Sequence, residues 1–422
     1  MQTIKKADTV FRYTNKLLIT MMNTFKKIFI LIIIQTMVYA QNSDWDLGGY
    51  ARNLFTLTDG AISDLPLETG KWQNTAQLRL NFFLYPAESF QATLQSRSLI
   101  VWQKNIRQTY TFLDLLETDS YFLDLTYDYK DEENLYLRNE IDRLNLSYTS
   151  GNMEIILGRQ RLAWGTCLVW NPTDLFNPYD VLDFDYEERP GTDALQIQYY
   201  LGPLSQINIS VTPGKTRERV IYAGRFRTNF YNYDVAVLAG WQKNSFKAGL
   251  NWAGEIWNAG FSGEILYTDA HYDYKALAME PNAQNLTVTN GKIRGAHWMM
   301  AFSANYTFAN SFYIHSEYLY NSIGATDNAG LRRFTVLYTG ELSPARHAVF
   351  QEFSYNISPL LRSSFFVILN PNDKSWIAAP SLQYSLSQNW DVLLMAFPSD
   401  GKTGSEYGDY PAQYFFRLKY SF

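Results

Sequence analysis

The sequence predicts an all-β fold: a transmembrane antiparallel up-and-down β-barrel of about 18 strands, with about 16 as the fallback. Three observations lead there. Stretches of roughly ten residues alternate apolar and polar side chains, which is the length of a tilted strand crossing a bilayer. Aromatic residues make up 16% of the 422, with 31 Tyr, yet mean hydropathy is only −0.25. In a lipid-embedded barrel every second residue touches hydrocarbon, so average hydropathy stays modest while Tyr and Trp collect at the two interfaces. Beyond the N-terminal region, no segment reads as a transmembrane helix.

Residues 1–40 read as a secretory signal peptide. Lys26 and Lys27 precede the apolar run Ile28 to Ile34, and Val38-Tyr39-Ala40 forms a cleavage site before Gln41. The run is too short for a good membrane helix. Met22 opens a compact signal by itself, so translation starts either there or at Met1 with a long n-region. Residues 41–422 then form one barrel domain, with no segment ahead of Tyr50 long enough for a plug.

The strands follow in order. Ala76, Leu78, Leu80, Phe82 and Leu84 interleave with Gln77, Arg79 and Asn81, and the stretch around Phe90, Ala92 and Leu94 repeats the pattern. Leu195 to Tyr199, Phe246 to Trp252 and Trp298 to Phe308 do the same, the last being the clearest lipid face. Short turns are expected at Pro86-Ala87-Glu88, Ser150-Gly151-Asn152, Gly202-Pro203-Leu204, Tyr231-Asn232, Ala309-Asn310-Ser311, Ser358-Pro359 and Ser387-Gln388-Asn389. Long connections are expected near 59–71, 103–133, 163–192, 269–294, 323–345 and 399–409. Short turns on the periplasmic side and long loops outside suit a barrel with both termini periplasmic, hence an even strand number. Segment 331–341 is either a loop hairpin or a further strand.

The last strand places Tyr414, Phe416, Leu418, Tyr420 and Phe422 on one face. With an aromatic last residue and another two before it, Tyr420 and Phe422 resemble the signal by which the outer-membrane assembly machinery of Gram-negative bacteria recognises its clients. That resemblance implies the outer membrane as location, with its lipid and lipopolysaccharide and the assembly machinery as partners. An edge strand of a soluble sheet is the alternative, though five aligned apolar side chains over-decorate an exposed edge.

Charge narrows the function. Without residues 1–40 the chain holds 30 basic against 40 acidic side chains, a net of about −10, which disfavours nucleic acid as a partner. The sole cysteine, Cys167, has no disulfide partner and reads as a small buried residue.

Gly158-Arg159-Gln160-Arg161-Leu162-Ala163-Trp164-Gly165, followed by Trp170-Asn171-Pro172-Thr173-Asp174-Leu175-Phe176-Asn177-Pro178, is the densest local signature. It resembles a motif of porin-like outer-membrane families, including alginate-export-type channels and related barrels, in which a Gly-Arg-Gln strand end runs into a Trp-Gly corner and a folded-in loop. Thr166 stands where relatives often carry an acid. Gly165 allows a sharp turn and Pro172 and Pro178 stiffen the loop, so it forms either a constriction inside the lumen or an outer loop packed on the rim. A bulge near Gly158 is needed to aim Arg159 and Arg161 inward, because they share the parity of Ile155 and Leu157.

Alternation directs Arg79, Arg97, Arg225, Arg227, Arg417 and Lys419 inward, and Glu264, Glu317 and Glu352 inward elsewhere on the wall. Facing lipid, each would cost about 2 to 4 kcal/mol at the midplane. Two arrangements fit: opposite charges facing across the lumen, which sorts polar solutes in a transverse field, or charges paired with neighbours on adjacent strands. Two outer loops are acidic, one from Asp114 to Glu133 and one from Asp180 to Glu188. They either repel or select ions at the mouth or gather divalent cations, although the calcium-loop spacing is absent.

Catalysis finds little support. No H-E-x-x-H or G-x-S-x-G occurs, and His315 and Ser316 point to opposite faces of a strand. The reading is therefore a channel for passive or facilitated passage of small polar or anionic solutes, without cofactor or metal. A dedicated transporter of carbohydrate polymers or hydrophobic compounds, working with an inner-membrane partner, is the second reading. A closed scaffold holding surface polysaccharide is the third. Homo-oligomer formation is compatible with all of them.

Overall fold

Period-two alternation becomes strand pairing almost everywhere it occurs. The structure, a computed structural model, describes residues 44–59, 71–106, 121–130, 133–177, 188, 190–216, 219–279 and 286–422. The strands are β1 (Trp45–Asp59), β2 (Trp72–Ala87), β3 (Phe90–Gln103), β4 (Thr126–Lys130), β5 (Leu135–Ser150), β6 (Met153–Gln160), β7 (Thr192–Gly202), β8 (Ser205–Thr212), β9 (Ile221–Phe230) and β10 (Tyr233–Gln242). They continue as β11 (Ser245–Ile256), β12 (Ala259–Met279), β13 (Leu286–Thr307), β14 (Phe312–Asn321), β15 (His347–Ser358), β16 (Leu361–Asn370), β17 (Ser375–Ser387), β18 (Trp390–Phe397), β19 (Ser399–Asp400) and β20 (Ala412–Ser421). All but β4 and β19 form a closed antiparallel barrel of 18 strands. The expected residues 1–40 with Met22, the loop residue Pro178, and most of the loop acids, including Asp114, Glu117, Asp180 and Asp183, lie outside the described residues.

The seam closes where β20 pairs with β1, from Asp59↔Ala412 to Tyr50↔Ser421. Gly49 and Phe422 then exchange two backbone hydrogen bonds of 2.9 Å. A side chain on Gly49 would meet the Arg79 carbonyl oxygen at 2.1 Å, so only glycine lets the strands meet there.

The surface is inverted relative to a water-soluble protein. Along β8, Ile207, Ile209 and Val211 are 38, 52 and 40% exposed, while Asn208, Ser210 and Thr212 are 0, 0 and 3% exposed. Apolar side chains turned outward at about 1.5 to 3 kcal/mol each are stable only against hydrocarbon. Aromatic pairs band the barrel at both ends, with Trp390–Tyr420 (4.9 Å) and Tyr306–Phe308 (4.7 Å) at the short-turn end and Tyr222–Trp241 (5.3 Å) at the other. Substituting Ile209→Lys is expected to destabilise the barrel by about 2 to 4 kcal/mol in urea titrations from lipid vesicles. A change under about 0.5 kcal/mol would place that face elsewhere than in lipid.

Hairpin turns follow local chemistry. Tyr231-Asn232, Lys243-Asn244 and Trp257-Asn258 all hold both residues at positive φ, the two-residue turn whose twist matches the strands, and Asn tolerates that conformation. The pair Trp257-Asn258 closes a short turn that the sequence reading did not single out.

Two expectations are corrected. The region 269–294 is no loop: β12 and β13 pair without interruption out to Met279↔Leu286. At 21 and 22 residues these strands greatly exceed the roughly ten that span a bilayer, so the hairpin projects beyond the barrel rim. Segment 331–341 is neither hairpin nor strand. Ala329–Arg332 is a 3-10 turn and Arg333–Thr339 is a helix, α1, ended by Gly340 at φ 75°, which donates its N–H to the Val336 carbonyl. A left-handed glycine after the last turn is a helix stop, and it overrides the period-two look of the segment.

Candidate functional site

The barrel interior is built around the connection between β6 and β7, residues 161–191. At its entrance Gly158 adopts φ 118°, where a side chain would strike the Leu144 carbonyl oxygen at 2.2 Å. This twist turns Arg159 inward although Leu157, of the same parity, faces out. Arg159 is fully buried: Nε donates to Asp193 at 2.9 Å, Nη1 to the Ile141 carbonyl at 3.0 Å and Nη2 to the Leu123 carbonyl at 2.5 Å, with the guanidinium 4.0 Å over the Tyr121 ring. It clamps three segments together and does not line an opening. Arg161 is exposed.

Residues 162–177 fold into the lumen and pack as a core. Leu162, Trp164, Leu175 and Phe176 meet Leu238, Leu266 and Met299 of the wall on one side, with Trp164 and Phe176 edge to face at 5.0 Å. Val169 and Trp170 meet Leu319, Phe350 and Phe397 on the other. Gly165 is tight because a side chain would lie 2.1 Å from Asn171 Oδ1. Asn171, Pro172 and Asp174 are all buried.

Two glutamates pin this loop. Glu264 on β12 accepts from the backbone N–H groups of Thr166 (2.5 Å), Cys167 (2.9 Å) and Thr173 (2.9 Å), and from Thr173 Oγ1 (2.7 Å). Glu317 on β14 accepts from the N–H groups of Leu168 and Val169 (both 3.2 Å) and Trp170 (2.5 Å). A carboxylate that collects several amide donors is well compensated in a dry interior. Asn251 Nδ2 donates to the Trp164 carbonyl (2.8 Å) and Gln242 Nε2 to the Leu175 carbonyl (2.6 Å). Arg225 donates to the Trp164 carbonyl at 3.4 Å and lies 5.4 Å from its ring. Burial together with Glu264 and Glu317 pushes the Cys167 thiol well above its ordinary range, so it stays protonated and unreactive in place.

One further described residue of this connection is tied to the wall. Glu188 accepts from Tyr50 Oη at 3.0 Å and pairs with Arg79 Nε at 3.3 Å. Residues 162–177 thus rest on the wall from β7 round to β1, and residue 188 on β1 and β2.

Of the two expected arrangements, pairing with nearby strands is the one found, and the transverse field is not. Arg79 is bonded to Asp142, Arg97 to Glu140 at 3.0 Å, Arg227 to Asp234 at 3.6 Å, and Glu352 faces His315 Nδ1 at 3.8 Å. Arg417 is buried on β20 opposite Leu54 of β1. Charges pair with the nearest partner because Coulomb attraction in a low-dielectric interior falls off with distance and lumen-wide pairs cannot compete. Asp142 and Glu140 went unnoticed in the sequence reading, although their alternation in Glu140-Ile141-Asp142 is legible. Their exact reach was not, because the β3–β5 register shifts between Gln95 and Ser96.

One constellation resembles a hydrolase. Ser303 Oγ lies 2.9 Å from His315 Nε2 on the neighbouring strand, a contact hidden from sequence because it is diagonal across β13 and β14. Both residues are 1% exposed, and Glu317 Oε2 shares the same nitrogen at 3.3 Å. The group serves to neutralise and orient Glu317 beneath the loop.

The outer loop between β19 and β20 also folds over the mouth. Glu406 accepts from Ser343 Oγ (3.1 Å), Asn370 Nδ2 (2.9 Å) and Tyr407 Oη (3.1 Å) beside Asp373. Burial pushes its carboxyl from the ordinary 4.5 up to about 7. A raised carboxyl pKa stabilises the closed loop fully below pH 4.5, and this stabilisation is lost as pH rises to 7. Amide exchange across 402–409 is therefore expected to quicken between pH 4.5 and 7 after correction for intrinsic rates, and Glu406→Gln to remove that dependence. A flat profile in the parent protein would contradict this.

Comparison with solved structures gives the fold its context. Acinetobacter baumannii OccAB1 superposes with a TM-score of 0.54 at 9% identity, covering 92% of this chain and 99% of the other. Pseudomonas aeruginosa OccK5 (OpdH) gives 0.51 at 8% identity over 90% and 98%, and its OccK8 (OprE) gives 0.51 at 10% over 90% and 98%. The fold is that of outer-membrane porins. No protein-family model matches the chain, and no curated protein matches it in sequence. These three neighbours are Occ/OprD-type outer-membrane porins, and the likeness does not extend to the alginate-export-type family.

Proposed function

We propose that this protein is an outer-membrane channel of a Gram-negative bacterium for passive or facilitated passage of small polar or anionic solutes. The observation that carries this reading is an inverted barrel into whose interior residues 162–177 fold, held there by Glu264 and Glu317. Such a loop narrows the passage to a fixed size without closing the barrel by a separate domain. At the short-turn end a recess of about 460 Å³ is lined by the polar Tyr85, Glu88, Gln91, Ser147, Thr149 and Glu154 together with the apolar Pro86, Ala87 and Phe90. The constriction comprises Trp164, Gly165, Trp170, Asn171, Pro172 and Asp174, with Arg97, Arg225 and Glu352 on the walls. Residues 1–40 are a signal peptide in this proposal. Tyr420 and Phe422 address the assembly machinery, and lipid and lipopolysaccharide surround the barrel. The finer likeness to alginate-export-type channels rests on the Gly158 to Pro178 signature alone.

Steady single-channel conductance of the purified protein in planar bilayers tests the proposal, and permanent silence under every solute would remove it. Arg97→Glu reverses one lumen charge beside Glu140 and is expected to shift the reversal potential in a tenfold KCl gradient toward cation preference by roughly 10 mV or more. An unchanged potential takes that wall out of the conducting path.

A further inference from the structure

One sector of the exterior departs from the apolar rule. Asn53 on β1 shares the outward parity of Ala51 and Phe55, and Asn74 on β2 that of Ala76 and Leu78. Ser96 and Ser98 of β3 stand opposite Leu80 and Leu78, and Asn139 of β5 stands opposite Ser98. Amide and hydroxyl side chains thus share one outward face over β1, β2, β3 and β5. Aromatic pairs bound this face above and below. Phe55 and Trp72 stack at 6.4 Å on its loop side, where Trp102 stands opposite Asn74. Trp45–Phe82 at 6.1 Å and Phe90–Tyr148 at 4.7 Å mark its short-turn side. Such rows sit at the two interfaces, so the polar groups between them lie at the depth of hydrocarbon.

Their hydrogen bonding is incomplete. Asn53 and Asn74 exchange Nδ2–Oδ1 bonds of 2.9 and 3.0 Å, and Asn139 Nδ2 donates to Ser98 Oγ at 2.7 Å. An amide carries two N–H groups, so each of the three asparagines keeps one without an acceptor among the described residues. The outward pair Ser316–Gln351 on β14 and β15 shows the contrast. Gln351 Nε2 donates to the His315 and Glu352 carbonyls and Oε1 accepts from Ser316 Oγ, so that pair is closed on itself. A polar group left unsatisfied in lipid costs several kcal/mol.

We infer that this face of β1, β2, β3 and β5 binds a second copy of this chain within the membrane. Two copies in one membrane are related by rotation about the membrane normal, which keeps every side chain at its own depth. The polar band therefore meets its own counterpart. Asn and Ser both donate and accept, so the band is complementary to itself, and none of its five members is charged, which leaves a charged partner or headgroup nothing to pair with. Ala51, Ala76, Ser96 and Ser98 are small and let two walls approach closely, as small residues do between membrane helices. Four strands about 4.8 Å apart and about 25 Å tall present on the order of 500 Å², so two faces together bury roughly 1,000 Å², the lower bound for a specific contact. The contact needs the barrel to lie in a membrane and does not depend on what it conducts.

Cross-linking and sedimentation test the contact on the full-length barrel. Cys167 is the single native cysteine and is buried, so a cysteine placed on the exterior is the one a flexible bis-maleimide reaches. In native outer membranes Ser96→Cys is expected to give an adduct of twice the chain mass at least fivefold more than Ile209→Cys, which sits on the exterior of β8. Sedimentation equilibrium in density-matched detergent is expected to show the parent protein associating, and Asn53→Leu with Asn74→Leu to weaken that association at least tenfold, because leucine is at home in an apolar surround. Should the double variant fail to assemble, Ser96→Cys decides alone, since cysteine and serine are nearly equal in size. Four results would each overturn the inference: a parent protein that sediments as a monomer, equal cross-linking from Ser96→Cys and Ile209→Cys, an adduct with the mass of a different protein, or a folded double variant that associates as before. Silent bilayers with the association intact would remove the channel reading alone, and a conducting monomer would remove this one alone.

Discussion

Replacing Glu264 with alanine is expected to free the inward loop, raising single-channel conductance at least twofold and making Cys167 reactive. Glu264 accepts three backbone N–H groups and one hydroxyl from the loop. Deleting the acceptor leaves these donors buried without partners, at about 1 to 3 kcal/mol each, so a net loss of roughly 3 to 5 kcal/mol is expected once the loop relaxes. That shifts the opening equilibrium by about two to four decades, and thiol labelling of Cys167 is expected to accelerate by the same factor. The barrel itself stays assembled, because its strand pairing does not pass through Glu264. Far-ultraviolet circular dichroism serves as the control. Labelling that stays as slow as in the parent protein, with normal circular dichroism, would show that the loop is held by its apolar contacts alone. Glu264→Gln offers a graded comparison: it keeps one carbonyl acceptor and removes the charge.

The second large effect is expected at Arg159. Its guanidinium bonds to Asp193 and to two backbone carbonyls on different segments while covering Tyr121. Arg159→Met keeps the length of the side chain and removes every one of these bonds, leaving Asp193 as a buried carboxylate held by the Leu123 N–H at 2.8 Å. A broken buried pair costs about 3 to 5 kcal/mol because the survivor is uncompensated. Urea unfolding from vesicles is expected to show a loss of that size. Adding Asp193→Leu is expected to restore part of it, since no lone charge then remains buried. If the double variant is less stable than Arg159→Met by the full cost of a second lesion, the two groups act independently and the clamp is wrong.

How far the sequence reaches can be judged residue by residue. Ile207, Ile209 and Val211 announce their lipid face by spacing alone, because strand side chains alternate strictly and a bilayer rewards only one face. The Gly158 to Pro178 signature announces an unusual connection for a similar reason: a glycine under severe steric constraint and a stiffened loop are local properties. Glu264 and Glu317 were legible as inward acids, yet their partners were not. Those partners are backbone amides about 90 to 150 residues away in the chain, and an amide leaves no mark in a sequence. The helix Arg333–Thr339 was missed because Phe334, Val336 and Tyr338 also fit a strand, and only Gly340 at its end argues for a helix.

Composition and alternation thus determined by themselves that this chain forms a closed barrel with an apolar exterior, since each strand reports its own two faces. What fills the barrel was decided by tertiary structure. Whether an inward charge meets water, a neighbouring strand or a folded loop depends on register and on long-range packing, and electrostatic partners in a dry interior are chosen by distance in space.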